Sequence, residues 1–290
     1  MSIKQPTTYQ EQVEILRGRG CFILDDAAGI DFLRRVNYYR FSGYLHAFKQ
    51  NDGTYADVVS FEKIASMYTF DKDLRALLMR AVSEIELFAK SIIAYHHGHH
   101  YGSLGYLDAS SFNTKHNHAK FIEQFETVVR NNRNSPIARH HIRNYGGSFP
   151  IWVATELFTM GMTSFFYADL LTGDKKVIAK EFGTDYVHLE SWLHSTSVLR
   201  NICAHHGRLF ITLFHQPPKL PRKYLQHTGT EDYSLFRQLC MLKLLYANWR
   251  IEWNSTIFLP LEALIEKYDS FVDVRMAGFP DNWRDILRWA

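Results

Sequence analysis

From Phe61 to about His97 the chain runs without a glycine or proline. Leu74, Leu77, Leu78, Met79, Val82, Ile85, Phe88, Ala89 and Ile92 recur along it at steps of three and four. That period belongs to a helix with a buried face. A helix of this length commits the rest of the chain to packing around it. Gly98, Gly102 and Gly105 predict its end.

The remaining segments read the same way. Thr8 predicts an N-cap for a short helix through Gln12 and Leu16, ended by Gly18 and Gly20, and Ile30 to Tyr39 predicts a second after Gly29. Further helices are expected over Lys115 to Arg133, from Pro150 to about Leu171, and after a cap at Thr184 or Asp185. Leu235 to Trp253 and Leu261 to Tyr268 are the last. No alternating strand pattern, internal repeat or low-complexity linker interrupts them. The expectation is all-α: a helical bundle over 54–215, a small basic and aromatic N-terminal subdomain over 1–53, and a C-terminal helical extension over 216–290. One compact domain with an N-terminal extension fits equally well.

Formal net charge is +3, which permits a nucleic-acid partner without demanding one. Aromatic residues make up 15% of the chain, enough to fill a core and leave rings for stacking. Three scattered cysteines (Cys21, Cys203, Cys240) exclude a disulfide framework or a zinc cluster and suit a reducing cytoplasm. The first residues lack the apolar core of a secretion signal, and no apolar run approaches the ~18 residues of a membrane span.

The chemistry concentrates in Leu199-Arg200-Asn201-Ile202-Cys203-Ala204-His205-His206-Gly207-Arg208-Leu209. A guanidinium grips phosphate through a planar fork, and an imidazole gives or takes a proton near neutrality. Together they meet the needs of metal-free cleavage of an RNA phosphodiester. On an ideal helix Arg200 and His205 lie about 140° apart around the axis and roughly 7.5 Å along it, so they share no face unless the helix loosens or two chains combine. Asn201 and His205, four apart, do share one. The plainer alternative pairs Arg200 with an acid and leaves both histidines at a helix C-terminus.

A second segment interleaves bases with rings: Arg34, Arg35, Asn37, Tyr38, Tyr39, Arg40, Tyr44, His46 and Lys49. Such mixtures stack unpaired nucleotides and contact phosphate. Packing of Tyr39, Phe41, Tyr44 and Phe48 into the bundle, with the arginines paired to acids, is the competing reading. Arg130, Arg133, Arg139, His140, His141 and Arg143 form another basic stretch, an RNA contact or a solvated face. His96-His97-Gly98-His99-His100 and His116 with His118 raise a metal-hydrolase alternative, but no carboxylate follows at ligand spacing. No metal or cofactor is expected. Glu86 and Glu156 read as structural partners for a base inside the bundle.

Four blocks in order carry a family resemblance. Arg200 to Phe210 resembles the hallmark segment of the Abi-like abortive-infection proteins, the group that includes AbiD and AbiF. Arg35 to Tyr44 resembles their tyrosine-rich signature. Leu74 to Ala94 with Ile85-Glu86, then Tyr101-Gly102 and Tyr106-Leu107, resembles a third block. Pro150 to Leu157 with Gly161, then Ser191-Trp192-Leu193, resembles the fourth. Lys90 departs from an arginine expected there, keeping the charge and losing the fork. The family is grouped with the HEPN helical bundles, many of which carry Arg, four to six residues, then His. The resemblance therefore implies a phage-defence endoribonuclease acting as a toxin. It would work as a homodimer that unites two Arg/His pairs and leaves 2′,3′-cyclic phosphates. A small structured antitoxin RNA would hold it silent. Arg200 and His205, with Asn201, would be catalytic, and His206 is the alternative imidazole. Arg35, Asn37, Tyr38, Tyr39, Arg40, Tyr44 and Arg208 would bind RNA. A defence protein that binds RNA without cutting it is the other function the resemblance allows.

Overall fold

The computed structural model describes residues 3, 5–55, 59–228 and 232–290. Residues 1, 2 and 4, on which the reading of the N-terminus partly rests, lie outside the described residues. Among the described residues the protein is all-α; the only β pairing is three isolated bridges, Phe22 with Ser60, Lys49 with Tyr55 and Phe112 with Leu170.

Three short helices open the chain: α1 (Tyr9–Gly18), α2 (Asp26–Arg35) and α3 (Tyr38–Leu45). Thr8 caps α1 through a reciprocal pair with Glu11, as the serine/threonine-to-glutamate spacing dictates. The helix expected over Ile30 to Tyr39 is instead divided. Asp25 accepts from the N–H groups of Ala27 and Ala28, which starts α2 early and leaves Gly29 inside it. Asn37 caps α3 by accepting from the Tyr39 N–H.

The long helix α4 (Phe61–Tyr101) spans 41 residues, begins at the Ser60 cap and ends at Gly102. After it come α5 (His118–Asn131), α6 (Pro136–Asn144), α7 (Ile151–Leu157), α8 (Met160–Asp169), α9 (Thr172–Glu181) and α10 (Tyr186–Ala204). The single helix expected from Pro150 to Leu171 is two, because the Thr159 hydroxyl accepts from the Met162 N–H and caps α8. Its apolar composition conceals that cap. Asp185 starts α10 by accepting from Val187 and His188 N–H. The C-terminal part comprises α11 (Arg222–Thr228), α12 (Leu235–Leu245), α13 (Arg250–Trp253), α14 (Leu259–Lys267) and α15 (Trp283–Leu287).

The N-terminal helix α3, the central α7 to α10 and the C-terminal α12 and α14 all touch α4. Its buried face (Ile64, Met67, Phe70, Leu74, Leu78, Val82, Ile85, Ala89, Ile93) is the core that all three parts of the chain share. Cys21, Cys203 and Cys240 are buried and unpaired. No described helix is long and apolar enough to cross a membrane.

Candidate functional site

The site begins with a charge in the wrong place for a helix face. Asp71 interrupts the apolar run of α4 and is fully buried. Four donors converge on its carboxylate. The Tyr44 hydroxyl donates at 2.6 Å from α3, and Arg75 donates at 2.7 Å from the next turn. The backbone N–H groups of Leu209 and Phe210 donate at 3.1 and 3.0 Å from the chain beyond α10. Burial raises the carboxyl above the ordinary range, and these donors offset only part of that rise. Burial, together with the neighbouring carboxylate, raises the Tyr44 hydroxyl in turn. Asp71 thus ties the tyrosine-rich segment and the Arg/His segment to one turn of one helix.

The turn leaving α10 is held as closely. Its C-cap is His205, whose N–H donates to Asn201 C=O at 3.0 Å. The His206 N–H donates to Cys203 C=O at 3.3 Å, and the Gly207 N–H donates to Ile202 C=O at 2.8 Å. This pair of bonds makes a Schellman turn, and it places His206 in the left-handed region at φ 55°. It is the one described residue other than glycine there. Such a position favours glycine and costs an imidazole-bearing residue about 1 kcal/mol. Two arginines hold the strained turn from outside. Arg40 of α3 donates to the His206 carbonyl, and Arg75 donates to the Gly207 carbonyl at 3.0 Å.

Between α3 and this turn lies an open cleft of about 470 Å³ lined by Asn37, Tyr39, Arg40, Gly43, His46, His205, His206, Gly207 and Arg208. Two segments that lie more than 150 residues apart in sequence form its two walls. Tyr39 is 85% exposed, a ring free to stack. Gly43 lets the Arg208 guanidinium lie across α3, where a side chain at that position would collide with it. The same guanidinium sits 6.0 Å from the Tyr44 ring centroid.

Not every residue singled out in the sequence reaches this cleft. Tyr44 is buried with its hydroxyl spent on Asp71, so its place is in the frame and a stacking role is ruled out. Tyr38 is half-buried against the core, within 3.4 Å of an Arg19 donor. Arg35 pairs with Asp31 at 2.8 Å on the solvent side of α2. Asn201 is exposed one turn before His205 and does not line the cleft.

Arg200 also lies apart. Its Nε is 3.7 Å from a Glu86 carboxylate oxygen and makes no hydrogen bond. Glu86 already holds Lys90 at 2.9 Å, so one carboxylate faces two cations and the group keeps a net positive charge. Arg200 is thus held beside Glu86 and, unlike His205, is not among the residues that line the cleft.

Apart from His97, the histidines of the clusters have local partners. His100 meets Asp174 at 2.7 Å, His96 meets Glu181 at 3.3 Å, and His116 bridges Asp169 and His118. Among the described residues no group of three or more metal-ligating side chains assembles. Glu86 partners bases as its sequence context suggests. Glu156 does not: it is exposed, without an ion-pair partner among the described residues, and lines a separate groove with Trp152. The Arg130 to Arg143 stretch lies on the outside of α5 and α6, where the Arg139 guanidinium donates to the Asn134 carbonyl.

Asp71, Arg75 and Gly43 escaped the reading of the sequence, whereas His46 stands in its basic and aromatic segment. A signal for the first two exists: an acid and a base four apart on the face that carries Met67, Phe70, Leu74 and Leu78. A charged pair on a buried face needs partners from elsewhere in the fold.

Comparison with curated proteins and with solved structures returns no match. A family model described as Abi-like protein matches residues 31–211, from the start of the tyrosine-rich segment to the end of the Arg/His segment. The match contains both walls of the cleft and the Asp71 frame behind them. The chain belongs to the Abi-like protein family, which supports a role in bacterial abortive infection and antiviral defence.

Proposed function

We propose that the cleft between α3 and the end of α10 binds RNA, and that the protein is a metal-independent endoribonuclease of the HEPN type, acting in the cytoplasm as a toxin. The observation that carries this reading is the joining of the two segments in one basic, histidine-bearing cleft with an exposed ring beside it. Arg40 and Arg208 offer guanidinium groups to phosphate, and Tyr39 offers a face to an unpaired base. In the reaction the ribose 2′-hydroxyl attacks the adjacent phosphorus. The bond to the 5′-oxygen breaks and a 2′,3′-cyclic phosphate forms. His205 accepts the 2′-hydroxyl proton or donates one to the leaving oxygen, with His206 able to fill either role. Arg200 stabilises charge on the phosphoryl oxygens. Since Arg200 does not line the cleft that holds His205, their pairing is assigned to a homodimer in which each subunit completes the other's site. Restraint of such a toxin falls to a partner, for which a small structured RNA is the candidate.

A second reading is favoured by the anchoring of Arg200 to Glu86, away from the cleft. In it the cleft holds RNA and does not cut. One experiment separates the two. Purified protein is incubated with end-labelled single-stranded RNA in the presence of a chelator, and the termini are identified. The nuclease reading expects cyclic-phosphate ends, DNA left intact, and a loss of about 10²–10⁴-fold in rate for His205→Ala or Arg200→Ala. Cleavage that survives both substitutions together, or that requires a divalent metal, sinks it. RNA retained on native protein without cleavage supports the second reading instead.

A further inference from the structure

A second cleft, of about 560 Å³, lies against the first half of α10. Its nearest α10 residue, His194, is eleven positions before His205, or about 16 Å along the helix axis. Nothing in the proposed RNA cleavage uses it. Its volume is within the range of small-ligand sites, roughly 300–1,000 Å³.

Three ammonium groups line it. Lys175 of α9 forms the floor and is only 8% exposed. Its Nζ donates to the Ala168 carbonyl at 3.1 Å and to Glu190 at 2.9 Å, which leaves one N–H of a buried cation without a hydrogen-bond partner among the described residues. Lys115 and Lys219 are exposed on the rim and have no carboxylate partner among the described residues. Glu190 is the single carboxylate among the described lining residues, so the cleft keeps two positive charges in excess. Charge of that size matches a phosphomonoester, which carries about −1.5 to −2 near neutrality.

An aromatic ring also lines it. Phe165 of α8 is 64% exposed and lies with its centroid 6.4 Å from the His194 ring, at 65°. An exposed ring beside an imidazole supplies a platform for a flat heterocycle. The His194 ring is itself fixed by a hydrogen bond to the Gln216 side chain. The cleft therefore carries both cationic groups and a stacking surface.

We infer that this cleft is a binding site for a nucleoside 5′-phosphate, with the phosphate among Lys115, Lys175 and Lys219 and the base on Phe165. The same chemistry reaches the cleft from a free nucleotide or from the 5′-phosphorylated end of an RNA chain. The inference is independent of the ribonuclease reading, because its residues and its readout are separate from those of the histidine cleft.

The test is calorimetric titration of the full chain with each of the four ribonucleoside 5′-monophosphates, with adenosine, with inorganic phosphate and with a 5′-phosphorylated RNA ten-mer. At least one monophosphate is expected to bind more tightly than either adenosine or phosphate alone. The exposed pair Lys115→Ala/Lys219→Ala is expected to weaken it about tenfold or more, and Phe165→Ala to bring it close to the affinity of inorganic phosphate. All three substitutions are on the surface, and circular dichroism checks that the fold survives. If the ten-mer displaces the monophosphate, the physiological source is a chain end; if it does not, the source is a free nucleotide. No binding of any monophosphate at millimolar concentration overturns the inference. So does an affinity unchanged in the double lysine variant, or adenosine binding as tightly as its phosphate.

Discussion

Two buried polar side chains on α4 meet opposite fates. Asp71, near its start, receives four donors from three parts of the chain. His97, near its end, is 3% exposed and makes no hydrogen bond through either ring nitrogen among the described residues. It lies among the rings of Tyr101, Phe112 and Phe166. A saturated buried group specifies which segments meet and in what register. An unsaturated one specifies nothing and makes the fold sensitive to protons. The first arrangement builds the histidine cleft, and the second is a liability that acid exposes.

The largest effect is expected where the saturated group is removed. Asp71→Ala strands the Arg75 cation, itself only 5% exposed, and leaves three further donors unpaired. Loss of one partner from a buried ion pair costs about 3–5 kcal/mol. Urea denaturation should show a loss of that order. A loss below about 1 kcal/mol would mean that Asp71 does not frame the turn.

His97 provides the opposite test. Burial pushes its imidazole down to about 4 from the ordinary 6.5, so the folded protein keeps it neutral where the unfolded chain takes up a proton. Its contribution is therefore fully present above pH 6.5 and is lost as pH falls from 6.5 towards 4. The loss approaches roughly 3 kcal/mol. His97→Leu should be as stable as the parent or more so at pH 7.5, and should flatten the decline in melting temperature between pH 6.5 and 4.5. An unchanged decline would assign the acid sensitivity to other groups.

A smaller effect sharpens the account of the frame. If Asp71, Arg40 and Arg75 hold His206 in the left-handed region against its preference, His206→Gly should raise stability by about 1 kcal/mol. The measurement is again urea denaturation, beside RNA binding. A loss of stability would show that the imidazole packs in its place and is not merely tolerated there.

Much of the fold could be read from spacing. The period of α4, the Thr8 cap and the start of α10 at Thr184 or Asp185 follow from local rules, because each depends on residues within one or two turns. The division of α2 from α3 and of α7 from α8 could not be read so easily. There the apolar pattern continues through the break, and a single Asn37 or Thr159 side chain decides it. The Arg/His and tyrosine-rich segments were each visible as chemistry. That they face each other across one cleft was not, because the link is a buried carboxylate on a third element. Tyr44 shows the same limit: in sequence it is one more ring among bases, and only the position of Asp71 turns it inward. Arg200 is the converse case, since simple helix geometry already separated it from His205.

The length of α4 has a mechanical consequence. Asp71 and His97 are 26 positions apart on one uninterrupted helix, about 39 Å along its axis. They share no neighbour, so perturbations at the two ends should add as independent quantities. The helix behaves as a strut: acid loosening near His97 leaves the spacing between the imidazoles and α3 untouched until the whole chain melts.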